Sequence, residues 1–596
     1  EAGFTLNLNG VNFSNKENEK ENETKVTMSN FDDILNINSA IKDISVDTGN
    51  GDDTVNILSS INGTFDGNGG NNTLNIGTKL NEKISDENSQ ENIILNGEIK
   101  NFQSISLNQN TNFDSSLKIS GTNEIELNGN NLFLEVDYGK KADEKVIGHA
   151  LYNNGIKVDN STGKVMIDVA KADDGTIISM GNTNKSEFAD EKNILQSGSS
   201  NHHIEIADGD IVVKINEHIM GDDSIGNIKY AHLDKIYQSI NSAGKIPLMS
   251  ETTTLSDKTK EEAVKAQLEF YGKIYHSTPY AYSHEISEKS AELITDSLIN
   301  NKTMPEFKKW IFGGSIAGQE ADSDNNFYGA NYYGVDNTKA EADIESSIYG
   351  AYAFGEYGIA EKQSVGFAVA GTKSDTDISG NSKIKGNSLF VLAYAKQKIN
   401  NLRMIAGLGY QHGFYDSTRT VSNDYQSMSV DKKYENDLFT IFAGARYSYS
   451  LGNNFFLEPN AKLNISHTMQ NDINETDNND LSIEVEEQDF TSVDTELGLD
   501  LVKKINLQKG ILNLKVGASF IYSLEGYEEE YLTAKITGAV KDFEIISPES
   551  DRERVKFNIG AEYETEKGMF YNLHGNYITS SNETDYCVSF GAGYKF

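Results

Sequence analysis

The sequence predicts an all-β protein with a helical connector: a parallel β-helix-like solenoid, then a twelve-stranded antiparallel barrel that spans a membrane. Three observations carry this. Short apolar tetrads recur about every 20 residues early in the chain, with Gly, Asn and Asp between them, the pattern of stacked coils. Near residue 256 the composition turns to helical periodicity. From residue 307 to the end, segments of ten or more residues alternate apolar and polar, the pattern of barrel strands that cross a bilayer.

The tetrads read TLNL (5–8), KVTM (25–28), ILNI (34–37), TVNI (54–57), TLNI (73–76) and NIIL (92–95), followed by SISL (104–107), LKI (117–119) and EIEL (124–127). The step from Ile37 to Ile57, Ile76 and Leu95 sets the period, so these four are read as successive rungs of one sheet. Asn36, Asn56 and Asn75 hold equivalent places and predict an amide ladder along one face. Within VDTGNGDDTVNI (46–57), the core nearly satisfies the Gly/Asp nonapeptide that binds Ca²⁺ in a β-roll. The array does not continue, however: Thr48 replaces a glycine, Asn72 stands where Asp53 would repeat, and the copies are 19 residues apart. Glycine-rich corners are therefore expected and no cofactor, with Asp52 and Asp53 left as one weak Ca²⁺ site. Residues 140–250 read as further strands (GKVMIDVA, GTIISM, HHIEIADGDIVVKI) and as a capping unit. His202 and His203 are neighbours on a strand and face opposite ways, so they do not make a metal site. SGSSNHH (197–203) sets serines beside histidines without the spacing of a triad.

The connector holds two helices. SDKTKEEAVKAQLEFYGKIY (256–275) keeps apolar residues at helical spacing until Pro279 interrupts. SHEISEKSAELITDSLIN (283–300) follows, with Ser283 as its expected N-cap, an apolar set of Ile286, Ala291, Leu293, Ile294 and Leu298, and a charged remainder suited to a wet, polar enclosure.

The twelve strands are read at 307–318, 346–358, 363–373, 387–399, 401–415, 436–450, 454–467, 491–505, 510–524, 553–565, 568–579 and 585–596. INN, LGNN, NLQKG and EKG are tight turns, whereas 319–345, 374–386, 416–435, 468–490 and 525–552 are expected to be long loops. Tight turns at one end and long loops at the other are the layout of outer-membrane barrels. An even count puts both termini on the short-turn side, and YLTAKITG (531–538) is assigned to a loop to keep that parity. Alternation points Tyr586, Val588, Phe590, Ala592, Tyr594 and Phe596 at lipid. It points Arg403, Arg446, Glu458, Lys462, Asp494, Glu496, Asp500, Lys515, Lys556 and Glu562 into the lumen.

Composition agrees. The 596 residues carry 90 acidic against 52 basic side chains, a formal charge of −38, which argues against nucleic acid as a partner and fits a solvated envelope or extracellular surface. The one cysteine, Cys587, excludes a disulfide framework within the chain. No run of 18 apolar residues exists for a membrane helix, which leaves a β-barrel untouched. The chain starts at Glu1 without a leader, and a processed or truncated piece of a longer precursor is expected.

A β-helix, a helical linker, twelve strands and a final GAGYKF together resemble the monomeric (type Va) autotransporters of Gram-negative bacteria. The resemblance divides the chain into a passenger stalk with capping unit (1–255), a linker (256–306) and a barrel (307–596). It implies that the 283–300 helix lies in the barrel's pore. It also implies that Phe596, Tyr594, Phe590 and Val588 form the signal read by the barrel-assembly machinery. Outer-membrane lipid and periplasmic chaperones are then further partners, the protein a monomer, and the passenger exposed at the cell surface with a ligand the sequence does not identify. Some members cleave between two asparagines in the pore helix. Asn300-Asn301 sits near that place with different surroundings, and lumen acids such as Asp494 or Glu496 would assist the cyclisation. No catalytic motif is present, so no enzyme activity is expected of this chain. Two kinds of passenger stay open: an adhesin-like stalk, or the transport end of a secreted serine protease whose catalytic domain would precede Glu1.

Overall fold

A computed structural model describes the chain except residues 1–2, 10–23, 79–90, 160–161, 182–186, 189–193, 222–229, 328–339, 380, 476–480 and 548. Two compact units emerge: Glu1–Asp223 with Gly244–Gln267, and Ser224–Ala243 with Leu268–Phe596.

In the first unit each coil sends one strand to each of two parallel sheets. Thr5–Leu8, Ile34–Ile37, Thr54–Ile57, Thr73–Ile76, Ser104–Leu107 and Glu124–Glu126 stack in one sheet; Thr24–Thr27, Ile41–Asp47, Ile61–Asp66 and Ile93–Lys100 stack in the other. In-register Leu35, Val55, Leu74, Ile105 and Ile125 are fully buried between the sheets, as are Ile37, Ile57, Ile76 and Leu107. The alternate positions carry the amide ladder: Asn75 Nδ2 donates to Asn56 Oδ1 at 2.8 Å, Asn56 to Asn36 at 2.7 Å and Asn36 to Asn7 at 2.6 Å.

One rung of the expected series is corrected. Ile76 pairs with Leu107, not with Leu95, which instead pairs with Ile61 in the second sheet. Only the strands must stay in register for coils to stack, so a coil lengthened at its corner leaves the core intact while breaking the count. Beyond the coils, His202–Ala207 and Asp210–Ile215 form an antiparallel hairpin in a separate five-stranded sheet.

Among the described residues, the long helices before the barrel are α1, Ala231–Ser242; α2, Lys260–His276; and α3, Ser283–Asn300. The barrel strands are β1, Trp310–Phe327; β2, Ala340–Ala360; β3, Gln363–Ile378; β4, Ser382–Ile399; β5, Leu402–Ser422; β6, Ser427–Tyr447; β7, Phe455–Gln470; β8, Gln488–Leu507; β9, Gly510–Glu525; β10, Glu553–Thr565; β11, Met569–Thr579; and β12, Glu583–Lys595. Consecutive strands pair antiparallel, and β1 pairs with β12 from Ile311↔Lys595 to Ser323↔Glu583, closing the sheet on itself.

Exposure alternates along the strands: Leu497 on β8 is 67% exposed, whereas Asp500 on the same strand is 1% exposed. Ile316, Leu389, Leu408, Ile441, Val516 and Ile559 continue the apolar outer band. Near the tight-turn end, Trp310 lies 5.4 Å from Phe312 and 5.0 Å from Tyr357 between ring centres, the start of an aromatic girdle.

Three segments expected to be loops are wholly or partly strand: residues 319–327 and 340–345 continue β1 and β2. Residues 374–378 and 382–386 continue β3 and β4, and 416–422 and 427–435 continue β5 and β6. These stretches keep period two with most charged residues outward and Arg419 inward, so the hairpins run on past the apolar band into water. YLTAKITG lies outside the barrel, as parity required: Glu530–Ile536 joins Ile473–Asn474, Ile483–Val485 and Phe543–Ser547 in a four-stranded sheet built from the two loops after β7 and β9. Helix α1 packs on this sheet, with Ser239 Oγ accepting the Ile536 N–H at 3.0 Å and Lys235 Nζ 3.1 Å from Glu544.

Leu74→Ala should lower the stability of the first unit by about 2–5 kcal/mol, read as a fall in its urea midpoint. Ile34→Ala, on the exposed side of the same sheet, should change it by under about 0.5 kcal/mol.

Candidate functional site

Inside the barrel, α3 presents two unlike faces. Glu285, Glu288, Glu292 and Asp296 recur at three- and four-residue spacing and so share one side of the helix. Lys462 on β7 donates to Glu292 at 2.9 Å and also to Asp296; Lys556 on β10 reaches Asp296 at 2.8 Å and Glu496 on β8 at 3.2 Å. Lys289 binds Glu285 at 2.9 Å and faces Asp585 on β12 at 3.8 Å, and Arg554 on β10 meets Asp494 at 3.1 Å.

The opposite face is apolar. Ala291, Ile294 and Leu298 pack against Tyr352, Phe354, Phe390, Ile405 and Phe442, all inward residues of β2, β4, β5 and β6. Glycine lets the helix come this close: a Cβ at Gly444 would lie 3.0 Å from Ile299 Cγ2. Along the middle of α3 the enclosure is thus charged on the β7–β12 side and apolar on the β2–β6 side.

Both ends of α3 are fastened, which fixes its direction. At the long-loop end, Ser283 Oγ donates to Gln470 Oε1 at 2.5 Å and Tyr280 to Glu475 at 2.7 Å. Glu475 is in turn held by both Nε (2.8 Å) and Nη2 (2.6 Å) of Arg419. Ser283 is expected as the N-cap; its hydroxyl instead donates to Gln470 Oε1 and lies 3.2 Å from Tyr280 O, and the helix start carries no side-chain cap. At the tight-turn end, buried Lys396 donates to Asn301 O (3.0 Å), Thr303 O (3.2 Å) and the fully buried Glu356 (2.9 Å), a cation on the carbonyls that end the helix.

The remaining lumen residues fall as follows. Arg446 pairs with Asp500 and, at 3.4 Å, with Glu458. Glu458 also meets Lys302 at 3.0 Å, and Glu562 lies 3.8 Å from Lys302. Arg403 lines a cavity of about 460 Å³ at the tight-turn end. Lys515 donates to Asn300 Oδ1 at 3.2 Å, while Asn301 Oδ1 accepts the Thr303 N–H at 3.1 Å. Asp494 and Glu496 are taken up by Ser523 (2.5 Å) and Arg554, and by Lys556, rather than by Asn300. Lys289 belongs to the charged remainder read on the 283–300 helix; Glu356 and Lys396 went unnamed in the sequence reading, although alternation puts Glu356 on the side of Tyr352 and Phe354.

In the first unit, Asp52 and Asp53 serve the corner between coils. Asp53 Oδ1 accepts the Asp33 N–H at 2.9 Å, and Asn72 Oδ1 accepts the Asp53 N–H at 2.9 Å. Asp52 Oδ1 accepts the Asn71 N–H at 2.7 Å. Asn72, the apparent defect in the motif, is therefore one more rung. Among the described residues no group of three or more His, Cys, Asp or Glu could hold a metal. Burial raises the Asp53 carboxyl above the ordinary carboxylate range. Ser199 Oγ lies 2.9 Å from His202 Nδ1, but His202 Nε2 meets the Ala172 carbonyl at 3.1 Å, not a carboxylate, and burial lowers His202 to about 4. That pair is a neutral packing contact.

Residues 326–577 match the family profile described as Autotransporter beta-domain. Solved structures similar to this chain include the translocator domain of the autotransporter NalP from Neisseria meningitidis (14% identity, TM-score 0.40, covering 54% of this chain and 99% of that one). They also include the transport unit of the autotransporter AIDA-I from Escherichia coli (13%, 0.34, 50% and 92%). No curated protein matches. Over residues 326–577 the barrel is thus similar to autotransporter β-domains, which supports an outer-membrane translocator for a passenger domain.

Asp296→Asn should loosen α3 by about 3–5 kcal/mol, because Lys462 and Lys556 lose a buried counter-charge; planar-bilayer recordings should register more open-channel events than wild type. Asp53→Asn should stabilise the first unit at neutral pH. Folding raises the Asp53 pKa, so the ionised carboxylate opposes folding there, and the gap between variant and wild type should close as pH falls through the carboxylate range.

Proposed function

We propose that the barrel exports and displays this chain's own N-terminal solenoid, as a monomer. The direction of α3 carries the reading: its N-terminal end is fastened at the long-loop mouth and its C-terminal end at the tight-turn mouth, so the chain before it leaves on the long-loop side. In an outer-membrane barrel that side faces outward. The two-sheet coils, with fully buried in-register rows, suit a passenger that folds coil by coil as it emerges.

Val588, Phe590, Tyr594 and Phe596 share the outer row of β12, and the Phe596 N–H donates to Trp310 O at 3.0 Å. We assign them as the recognition signal for the barrel-assembly machinery, reached with the help of periplasmic chaperones. We favour an adhesin-like or stalk passenger; a protease domain encoded before Glu1 would instead make the chain the transport end of a secreted serine protease. Both asparagines at the end of α3 are tied by other groups, and we infer that the passenger stays attached.

The outer-membrane fraction should hold a protein that migrates faster unboiled than boiled, and a chain without that shift would contradict the barrel. Tyr594→Ala with Phe596→Ala should leave little folded barrel. Asn300→Ala should leave the passenger's size unchanged; a natural fragment ending at Asn300 would overturn the attached-passenger reading.

A further inference from the structure

The tight-turn mouth of the barrel holds more cations than acids, five against three around one cavity. The cavity there, about 460 Å³, is lined by Lys302, Lys398, Arg403, Lys504 and Lys595 against Glu458, Glu562 and Glu564. Each acid is already engaged: Glu458 by Lys302 and Arg446, Glu562 by Lys302, and Glu564 by Lys595. Lys398, Arg403 and Lys504 make no ion pair among the described residues. Register makes this expensive. Lys398 stands directly opposite Arg403 across β4 and β5, and Arg403 directly opposite Arg446 across β5 and β6. Like charges at opposed sheet positions repel, so three adjacent strands carry a row of cations that stability alone disfavours.

We propose that this vestibule is a binding site for an acidic, extended peptide, and that its occupant is this chain's own N-terminal part on its way through the barrel; the proposal rests on the export reading above. The recognising chemistry is a carboxylate received by the Arg403 guanidinium, which offers two parallel donors, with Lys398 and Lys504 as flanking point charges. The chain supplies such carboxylates in pairs, Asp32-Asp33, Asp52-Asp53 and Asp173-Asp174, within an overall excess of 90 acidic over 52 basic residues. In the exported state those partners have left, and the cations face an open cavity.

The test uses the purified full chain in detergent micelles and a labelled peptide with the sequence of residues 31–57, alongside the same peptide with every Asp replaced by Asn. The acidic peptide should bind in a salt-dependent way and the amide peptide at least about tenfold more weakly. Lys398→Gln with Arg403→Gln should lose about the same factor while keeping the unboiled gel mobility that certifies a folded barrel. In cells, Lys398→Glu with Arg403→Glu should slow the appearance of the solenoid at the surface. Equal binding of the two peptides, equal binding by the folded double variant, or displacement of the peptide by inorganic phosphate alone would overturn the proposal. A wild-type solenoid that never reaches the surface would overturn the export reading instead, and leaves the peptide binding as a separate result.

Discussion

Everything in the second unit depends on one closure: β1 must pair with β12. In hydrocarbon an unpaired backbone N–H or C=O costs several kcal/mol, so a spanning sheet has to end on itself. The continuous pairing from Ile311↔Lys595 to Ser323↔Glu583 meets that demand. With twelve strands it also brings both chain ends of the barrel to the tight-turn side, where the Phe596 N–H meets Trp310 O. The aromatic rings outside and the long hairpins above follow from the same cylinder: one belt lies at the interface, and the strands continue beyond it.

A closed barrel this wide leaves an interior that its own side chains do not fill, and α3 fills it by two different physical means. Over β2–β6 the contact is hydrophobic, with Ile294 and Leu298 against Phe390 and Phe442. Over β7–β12 it is ionic, centred on Asp296 between Lys462 and Lys556. The apolar half supplies affinity without direction. The ionic half and the two end clamps supply direction and register, since a buried charge displaced from its partners is costly whereas a leucine sliding along a greasy wall is not. A plug made this way stays put once the barrel is complete, and a chain held in the same lumen would be guided by charge.

The sequence was most legible where a single periodicity ruled. All twelve strands could be read because lipid outside and water or helix inside impose period two on long segments. In the solenoid the first-sheet tetrads were equally plain, but their partners in the second sheet were hidden: Ile41–Asp47 breaks alternation at Asp43, whose backbone is left-handed (φ 58°), and Ile61–Asp66 places Gly63 at an inward position. Helix α1 lacks a side-chain cap, although Leu233, Ile236, Tyr237 and Ile240 keep helical spacing. The inward direction of the lumen charges was readable, while their partners were not. Lys462 and Asp296 lie 166 positions apart, and only barrel closure around a helix brings them together. The calcium-like motif is ambiguous in sequence for a related reason, since a corner that stacks on its neighbour uses the same Gly and Asp residues as a corner that binds an ion.

The central claim is that the barrel delivers the solenoid to the outside of the cell. Lys42 is exposed on the solenoid, and the native cysteine, Cys587, lies on the lumen side of β12. Labelling of intact cells with a membrane-impermeant maleimide, using Lys42→Cys in a Cys587→Ser background, tests that claim most directly. The account predicts full labelling before lysis; labelling that appears only after the outer membrane is broken would contradict it.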